Sequence, residues 1–269
     1  METFNMPEQA VGTPPATPIE LDSRGFTARI DQAALQTQPF DHVCLSGLFP
    51  PEYYRQLLAS IPADEHFHEL RHRDALRADG SSTRMRRYLY PEQIWLLPAA
   101  VRARWLPLAR LLVSQDLQDA FKRKFRRALE ARFGCSIDRL GFYPVPIIVR
   151  DLPGYRIGIH TDVLKKAITV QFYLPDDDSQ MNIGTIFHEG DSGEAALRTR
   201  QMPFMPASGY AFPVQAHESW HSAERTSEAD GVRRSIMLTY YVQDTAKTWL
   251  LRRLDRLRSF FGMHPNPKI

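Results

Sequence analysis

The chain has 269 residues, 43% of them hydrophobic and 24% charged, and its 34 Lys and Arg against 31 Asp and Glu give a formal net charge of +3. This is the composition of an ordinary globular protein that is long enough for one substantial core. A charge this small gives no reason to expect a nucleic-acid partner, and no apolar stretch is long enough to span a membrane.

The N-terminal half, residues 40–135, is predicted to be mainly helical. It follows a proline-rich lead-in over residues 1–20, which we predict to be disordered. Apolar spacing after two prolines predicts a helix over residues 50–58. Over residues 91–133, apolar residues recur at steps of three and four, which predicts helices that pack against the outer face of a sheet. The basic cluster of Lys122-Arg123-Lys124 and Arg126-Arg127 is interpreted as a solvated helix face, because no aromatic residues for base stacking are interleaved on its polar side.

The segment 66–90 is rich in charge and shows neither a helical nor a strand period. Long irregular segments of compact domains often form binding loops or lids. We therefore predict a lid in which Arg84 and Arg86 approach an anionic group of the substrate. Surface arginines without a binding role are the alternative interpretation.

Strand-like alternation of aliphatic, aromatic and polar residues dominates residues 138–245, which predicts a mainly β core. The chain then continues into an amphipathic helix predicted over residues 247–261. We expect its apolar stripe to pack on the body of the protein or on a second subunit, as in a homodimer. The stripe consists of Trp249, Leu250, Leu254, Leu257 and Phe261.

Cys44 and Cys135 lie far apart, and neither is part of a Cys-X-X-Cys motif. Unpaired cysteines are typical of reducing compartments, so we predict two reduced, buried thiols in a cytoplasmic protein. The sequence contains no internal repeat, and we expect residues 21–269 to form a single domain.

The most informative motif is His160-Thr161-Asp162, followed much later by His221. Residues two apart on a strand point to the same side, so His160 and Asp162 can direct an imidazole nitrogen and a carboxylate oxygen at one point. A second histidine completes a set of two imidazoles and one carboxylate, which leaves metal positions open and is typical of non-haem Fe(II) sites. His217 is the alternative to His221, and His188 is interpreted as an ordinary histidine at a strand end.

Residues 142–242 resemble the core of the Fe(II)- and 2-oxoglutarate-dependent dioxygenases. The resemblance implies a double-stranded β-helix, or jelly-roll and cupin-like, core with N-terminal helical packing and a C-terminal helix. It also implies Fe(II) and O₂, with 2-oxoglutarate bound to the iron through its 1-carboxylate and keto oxygen. The matching pieces are His160-Thr161-Asp162, Tyr173-Leu174, Asn182-Ile183-Gly184-Thr185, the stretch 209–213, Ser219-Trp220-His221 and Arg233-Arg234-Ser235.

The resemblance also implies roles for individual residues. His221 is favoured over His217 as the third iron ligand, because it follows Ser-Trp and is followed by Arg233 on the next strand. Arg233 and Ser235 share one face of that strand and would grip the far carboxylate of 2-oxoglutarate, whereas Arg234 would point away. The candidates to complete this carboxylate site are Tyr143, Thr169 and Tyr173. Arg150 is a candidate for an acid group of the substrate, with a surface salt bridge as the alternative.

The expected activity is hydroxylation of an unactivated C–H bond in a small or carrier-tethered molecule, such as an amino acid or a natural-product intermediate, with release of succinate and CO₂. The carboxylate of Asp162 favours hydroxylation over halogenation, since halogenases of this family lack it. Desaturation, epoxidation and ring closure stay open. The alternatives are a dioxygenase that acts on a protein, a nucleic acid or a lipid-linked sugar, and a non-catalytic binding or sensor protein.

Overall fold

The computed structural model describes residues 21–243 and 246–260, and its strands form two antiparallel sheets. The large sheet has the strand order β1-β2-β10-β7-β12-β5-β4-β3, and the small sheet has the order β6-β11-β8-β9. The strands are β1 (Leu35–Gln36), β2 (His42–Leu45), β3 (His68–Glu69), β4 (Arg84–Tyr88), β5 (Phe142–Asp151), β6 (Ile157–His160), β7 (Lys166–Tyr173), β8 (Ile186–His188), β9 (Thr199–Gln201), β10 (Gly209–Pro213), β11 (Trp220–Ala223) and β12 (Arg233–Val242).

From β5 to β12 the chain passes repeatedly between the two sheets, which is the connectivity of a jelly roll. The sheets pack face to face: the ring of Phe212 on β10 lies 5.6 Å from that of Phe187 on β8 and 5.0 Å from that of His221 on β11. The predicted double-stranded β-helix core is therefore confirmed, and its inner face lies between the sheets.

Strict alternation divides the long strand β12 into an inner and an outer face. Ile236, Leu238 and Tyr240 point outward into the main hydrophobic core, and helices cover them on that side. The prediction that helices pack against the outer face is confirmed. The helices are α1 (Ser23–Gln32), α2 (Pro51–Ala59), α3 (Pro91–Ile94), α4 (Ala99–Leu112), α5 (Gln115–Lys124), α6 (Arg126–Phe133), α7 (Gly193–Leu197) and α8 (Ala246–Phe260).

The basic run on α5 is not simply solvated. Lys122 is buried, and its ammonium lies 5.4 Å from the ring centre of Phe142. Lys124 donates to the carbonyl oxygens of Asp31 and Ala33, at 2.8 and 2.6 Å. Lys122 therefore packs against β5, while Lys124 ties α5 to the end of α1, where the last carbonyl groups of a helix attract positive charge.

The prediction of an irregular loop over residues 66–90 is wrong, because this segment contributes β3 and β4 to the large sheet. β4 pairs with β5 along its whole length, from Arg84 opposite Asp151 to Tyr88 opposite Ile147. The N-terminal half is thus helical and β-structured. The charge of residues 84–88 does not exclude a strand, because the guanidinium groups have partners: Arg84 binds the buried Asp151, and Arg86 lies 4.6 Å from the ring centre of Tyr88.

The C-terminal helix α8 lies close to its predicted bounds, but its leucine stripe does not pack on the protein. Leu250, Leu254 and Leu257 are 52%, 40% and 56% exposed. The side chains of Trp249 and Phe261, like the lead-in over residues 1–20, lie outside the described residues.

Arginines of α8 face the body of the protein instead. The guanidinium of Arg252 lies 5.0 Å from the ring centre of Tyr241, and that of Arg256 lies 4.4 Å from the ring centre of Tyr90 and pairs with Glu92. Aromatic faces attract guanidinium groups, which explains why this helix docks through cations rather than leucines.

Two further expectations concern burial and membranes. Cys44 and Cys135 are both unpaired, but Cys44 is exposed and Cys135 is half-buried, so the prediction of buried thiols is wrong. Cys44 lies on β2, the second strand from the edge of the large sheet, and its Sγ lies 3.7 Å from the Sδ of Met202. Among the described residues, no helix is both long and apolar enough to cross a membrane.

Gly209 lies where three strands approach closely, because β10 pairs with β2 on one side and with β7 on the other. A Cβ atom at this position would lie 2.2 Å from the carbonyl oxygen of Gln171, so we expect Gly209→Ala to lower the free energy of unfolding by about 1–3 kcal/mol. Chemical denaturation measures the change. Gly141→Ala is the control, since its Cβ would meet nothing closer than 3.5 Å. Equal stability of the two variants would contradict this packing.

Candidate active site

The three residues predicted to bind metal lie together at one end of the small sheet. His160 is the last residue of β6 and lies directly opposite His221 on β11, with ring centres 4.2 Å apart. Asp162 follows β6 by two residues. The three side chains offer ligand atoms that all lie within 4.8 Å of one another, which is the arrangement required to hold one metal ion.

Backbone carbonyl groups orient both imidazole rings. Nδ1 of His160 lies 2.9 Å from the carbonyl oxygen of Gly158, and Nδ1 of His221 lies 3.0 Å from that of Ser219. An oxygen acceptor at these distances places the proton on Nδ1, so both Nε2 atoms keep a lone pair for a metal. Burial, followed by the neighbouring His160, lowers the pKa of His221 to about 4, which keeps its imidazole neutral at neutral pH.

Two side chains of β7 hold the carboxylate of Asp162. The hydroxyl of Thr169 donates to Oδ2 at 2.5 Å, and the ammonium of Lys166 donates to Oδ1. Burial alone would raise the pKa of Asp162, but the positive charge of Lys166 and these hydrogen bonds hold it well below its ordinary value. Asp162 is therefore an anion, as a metal ligand must be.

The other two histidines considered are not part of this group. His217 lies in the loop before β11 with a φ of 59°, and its ring contacts Trp220. His188 is buried, and its ring nitrogens lie 2.8 Å from the carbonyl oxygen of Ala196 and 2.8 Å from the hydroxyl of Ser222. Because both nitrogens of His188 have partners, neither is left for a metal.

A second polar group lies on the inner face of the large sheet, where one carboxylate is shared by two arginines. Asp151 accepts from Nη1 of Arg233 at 2.7 Å and from Nε and Nη2 of Arg84 at 2.6 and 3.1 Å. Asp151 and Arg233 are 0% and 1% exposed, and Arg84 is 9% exposed. The cluster therefore carries one positive charge in excess inside the protein, which is a place for an anionic group.

Hydroxyl and amide groups surround this cluster. The amide nitrogen of Gln171 donates to the hydroxyl of Ser235 at 2.7 Å, and its oxygen accepts from the hydroxyls of Tyr210 and Thr185 at 2.6 and 3.3 Å. Since Ser235 accepts from Gln171, its own proton is available for another acceptor. Tyr173 lies opposite Ser235, with its ring centre 5.6 Å from the guanidinium of Arg233.

The structure separates the other predicted residues of the carboxylate site from Arg233. Tyr143 lies opposite Tyr241, at the far end of β5 and β12, about 26 Å along the strand from Asp151. Thr169 lies opposite Thr239, about 20 Å along β12 from Arg233, and supports Asp162 instead. Of the three candidates, Tyr173 alone lies beside Arg233.

The arginines predicted to contact the substrate, Arg84, Arg86 and Arg150, do not lie together on one face of the protein. Arg150 points to the face of β5 opposite that of Asp151, where it pairs with Asp64 as in the salt-bridge alternative. Arg84 binds Asp151, and Arg86 is buried on the same face of β4. Arg234 points away from the site, as expected, and pairs with Asp176.

Sequence reasoning missed Asp151, Lys166 and Gln171. Gln171 could have been found, because it lies two residues from both Thr169 and Tyr173 and so shares their face. Asp151 meets Arg233 through a pairing of strands distant in the sequence, and Lys166 depends on an irregularity of β7. No local pattern signals either of these two.

No family model matches this sequence, and no curated protein matches it either. Among solved structures, the chain is similar to a prolyl-4-hydroxylase from Pseudomonas putida, at 13% identity and a TM-score of 0.52, over 80% of this chain and 98% of that one. The two proteins share a fold. An oxidoreductase of the 2OG-Fe(II) oxygenase family from Burkholderia pseudomallei is 15% identical over 81% of this chain and 89% of that one, with a TM-score of 0.46. A rice dioxygenase for auxin oxidation is 14% identical over 91% of this chain and 92% of that one, with a TM-score of 0.47. At these two lower scores the likeness adds nothing further.

The shared carboxylate predicts a large effect on stability. We expect Asp151→Ala to lower the free energy of unfolding by about 3–5 kcal/mol, because it leaves two buried guanidinium groups without their carboxylate. Asp176→Ala removes an exposed partner of Arg234 and should cost about 0–1 kcal/mol. Urea denaturation of both variants tests this, and similar small losses would show that burial of the two arginines does not depend on Asp151.

Proposed function

We propose that this protein is an Fe(II)- and 2-oxoglutarate-dependent oxygenase that hydroxylates an unactivated C–H bond of a small or carrier-tethered molecule and releases succinate and CO₂. The observation that carries the proposal is the convergence of two imidazoles and one carboxylate, with both Nε2 atoms free. Such a set covers one side of a metal ion and leaves positions for a co-substrate and O₂. The fold shared with the Pseudomonas putida prolyl-4-hydroxylase agrees with it.

His160, Asp162 and His221 would hold the iron. Their residue types suit Fe(II): Nε2 of each imidazole keeps a lone pair for a metal, burial lowers the pKa of His221, and the carboxylate of Asp162 is ionised. Iron bound there supplies the redox chemistry through which O₂ oxidises both 2-oxoglutarate and the substrate. The protein contributes orientation: the carbonyls of Gly158 and Ser219 fix the rings, and Thr169 fixes the carboxylate.

Arg233 and Ser235 would bind the far carboxylate of 2-oxoglutarate. The excess positive charge of the Arg84–Asp151–Arg233 cluster suits one carboxylate, and the free proton of Ser235 supplies a further donor. Tyr173 would form a wall beside Arg233. Arg84, which sequence reasoning assigned to the substrate, belongs in this interpretation to the co-substrate site, while Arg86 stays a candidate for substrate contact.

We further propose a homodimer through α8. The support is that Leu250, Leu254 and Leu257 recur at helical spacing and are exposed, while the arginines of this helix bind the body of the protein. A second copy of the helix offers an apolar surface of matching spacing. The cytoplasmic location expected from the unpaired cysteines stays a prediction.

Metal binding tests the three ligands directly. His160→Ala, Asp162→Ala and His221→Ala should each weaken binding of Mn(II), a stand-in for Fe(II) that does not turn over, by at least tenfold in calorimetric titration. His217→Ala and His188→Ala are the controls and should bind Mn(II) like the wild type. Loss of binding in His217→Ala with normal binding in His221→Ala would overturn the assignment.

Arg233 should determine the affinity for 2-oxoglutarate. Removing one partner of a buried charge pair costs roughly 2–5 kcal/mol. Arg233→Ala should therefore weaken binding of 2-oxoglutarate to the Mn(II)-loaded protein by roughly 30- to 5,000-fold. Arg234→Ala, whose side chain points away from the site, should change this affinity little. Equal effects of the two substitutions would rule out the proposed carboxylate site.

A further inference from the structure

Lys166 lies on the inner face because of an irregularity in β7. On the regular part of this strand, Tyr240 of β12 lies opposite Ile168, but the next pair is Tyr241 opposite Lys166, so the register shifts by one residue. Without this bulge, Lys166 would share the outward face of Ile168. With the bulge, its ammonium instead reaches Asp162 beside the histidines.

Asp162 has two oxygens, and both are engaged before any metal arrives. Thr169 holds one of them and Lys166 the other. A metal ion that binds Asp162 brings a second cation to this carboxylate and repels the ammonium of Lys166, whereas the hydroxyl of Thr169 is neutral. Thr169 belongs to a buried central strand and has a short side chain, whereas Lys166 carries a long flexible one, so Lys166 is the partner that moves.

The displaced ammonium stays close to the metal site. The side chain of Lys166 is 18% exposed, so it is open to solvent on one side. The turn between Asp162 and Lys166 also exposes Val163 and Leu164, by 60% and 55%, which places apolar surface within three residues of the ammonium.

A charge count around the metal then leaves one positive charge without a partner. Fe(II) brings two positive charges and Lys166 brings one, while Asp162 and the 1-carboxylate of 2-oxoglutarate bring one negative charge each; both imidazoles are neutral. The far carboxylate of 2-oxoglutarate is matched by the separate arginine cluster. A partly buried positive charge without a counter-ion is costly, and an anion beside it lowers that cost.

We propose that Lys166 is a substrate-binding residue and that the primary substrate carries a carboxylate, or a similar singly charged anionic group, on an apolar body. In the metal-free protein, Asp162 holds Lys166 back; metal binding to Asp162 releases the ammonium for the substrate. The inference rests on the proposed function, because it takes Asp162 as an iron ligand, and it makes anion binding depend on the metal.

The test uses Mn(II), 2-oxoglutarate and hexanoate, a carboxylate with a short apolar chain, with hexylamine as the cationic counterpart. Calorimetry should show that the wild type loaded with Mn(II) and 2-oxoglutarate binds hexanoate at least tenfold more tightly than hexylamine. Without Mn(II), hexanoate binding should be at least tenfold weaker. Lys166→Met should abolish the preference for hexanoate, while Lys165→Met, the same change at the exposed neighbouring residue, should preserve it.

Mn(II) alone gives a second readout. Lys166→Met should bind Mn(II) more tightly than the wild type, because no ammonium competes for Asp162, and Lys165→Met should not. The proposal is overturned if Lys166→Met keeps the preference for hexanoate, if the wild type shows none, or if Lys166→Met binds Mn(II) more weakly. If the inference about Lys166 fails but the wild type binds Mn(II) and 2-oxoglutarate normally, the proposed function stands. If the wild type does not bind Mn(II) or does not bind 2-oxoglutarate, the proposed function and the inference both fail.

Discussion

The carboxylate of Asp151, buried between Arg84 and Arg233, is the interaction on which the inner face of this protein depends. It joins β4, β5 and β12, since each of the three residues lies on a different one of these neighbouring strands. Two guanidinium groups could not be buried side by side without it. Because one carboxylate balances only one of them, the cluster remains positive. The contact that holds the three strands together therefore also provides a site suited to an anion.

Because alternate residues of a strand share one face, the other polar side chains of the candidate site lie on this same inner face. Arg233 and Ser235 lie at one end of β12 and Tyr241 at the other, with Asp162 bound beside Thr169 and Lys166 of β7. The arginine cluster and the group of His160, Asp162 and His221 are therefore separate, and each holds its own carboxylate. In the proposed function, a dicarboxylate co-substrate would reach from the metal toward the arginines past Gln171, whose amide is linked to Arg233 through the hydroxyl of Thr185. The ammonium of Lys166 would be left for a further ligand.

The sequence predicted those features that follow from local periodicity. A period of two placed His160 with Asp162 and Arg233 with Ser235, and helical spacing placed the helices on the outer face. Periodicity did not predict structure that depends on a partner distant in the sequence. The charge-rich segment that contains Arg84 forms a strand, because Arg84 pairs with Asp151 on the neighbouring strand β5. Periodicity failed again at α8, whose cations bind tyrosine rings while its leucines face outward. The face on which Lys166 lies was also out of reach, because one extra residue in β7 reverses its orientation.

The most direct test of the central claim is succinate formation from 2-oxoglutarate in air, with purified protein, Fe(II) and no added substrate. Oxygenases of this kind oxidise their co-substrate slowly even when the substrate is absent, so the wild type should form succinate. This succinate formation should stop when Fe(II) is omitted. His221→Ala should remain at the background level of a protein-free control. If the wild type with Fe(II) forms no more succinate than His221→Ala, the protein is not a 2-oxoglutarate-dependent oxygenase.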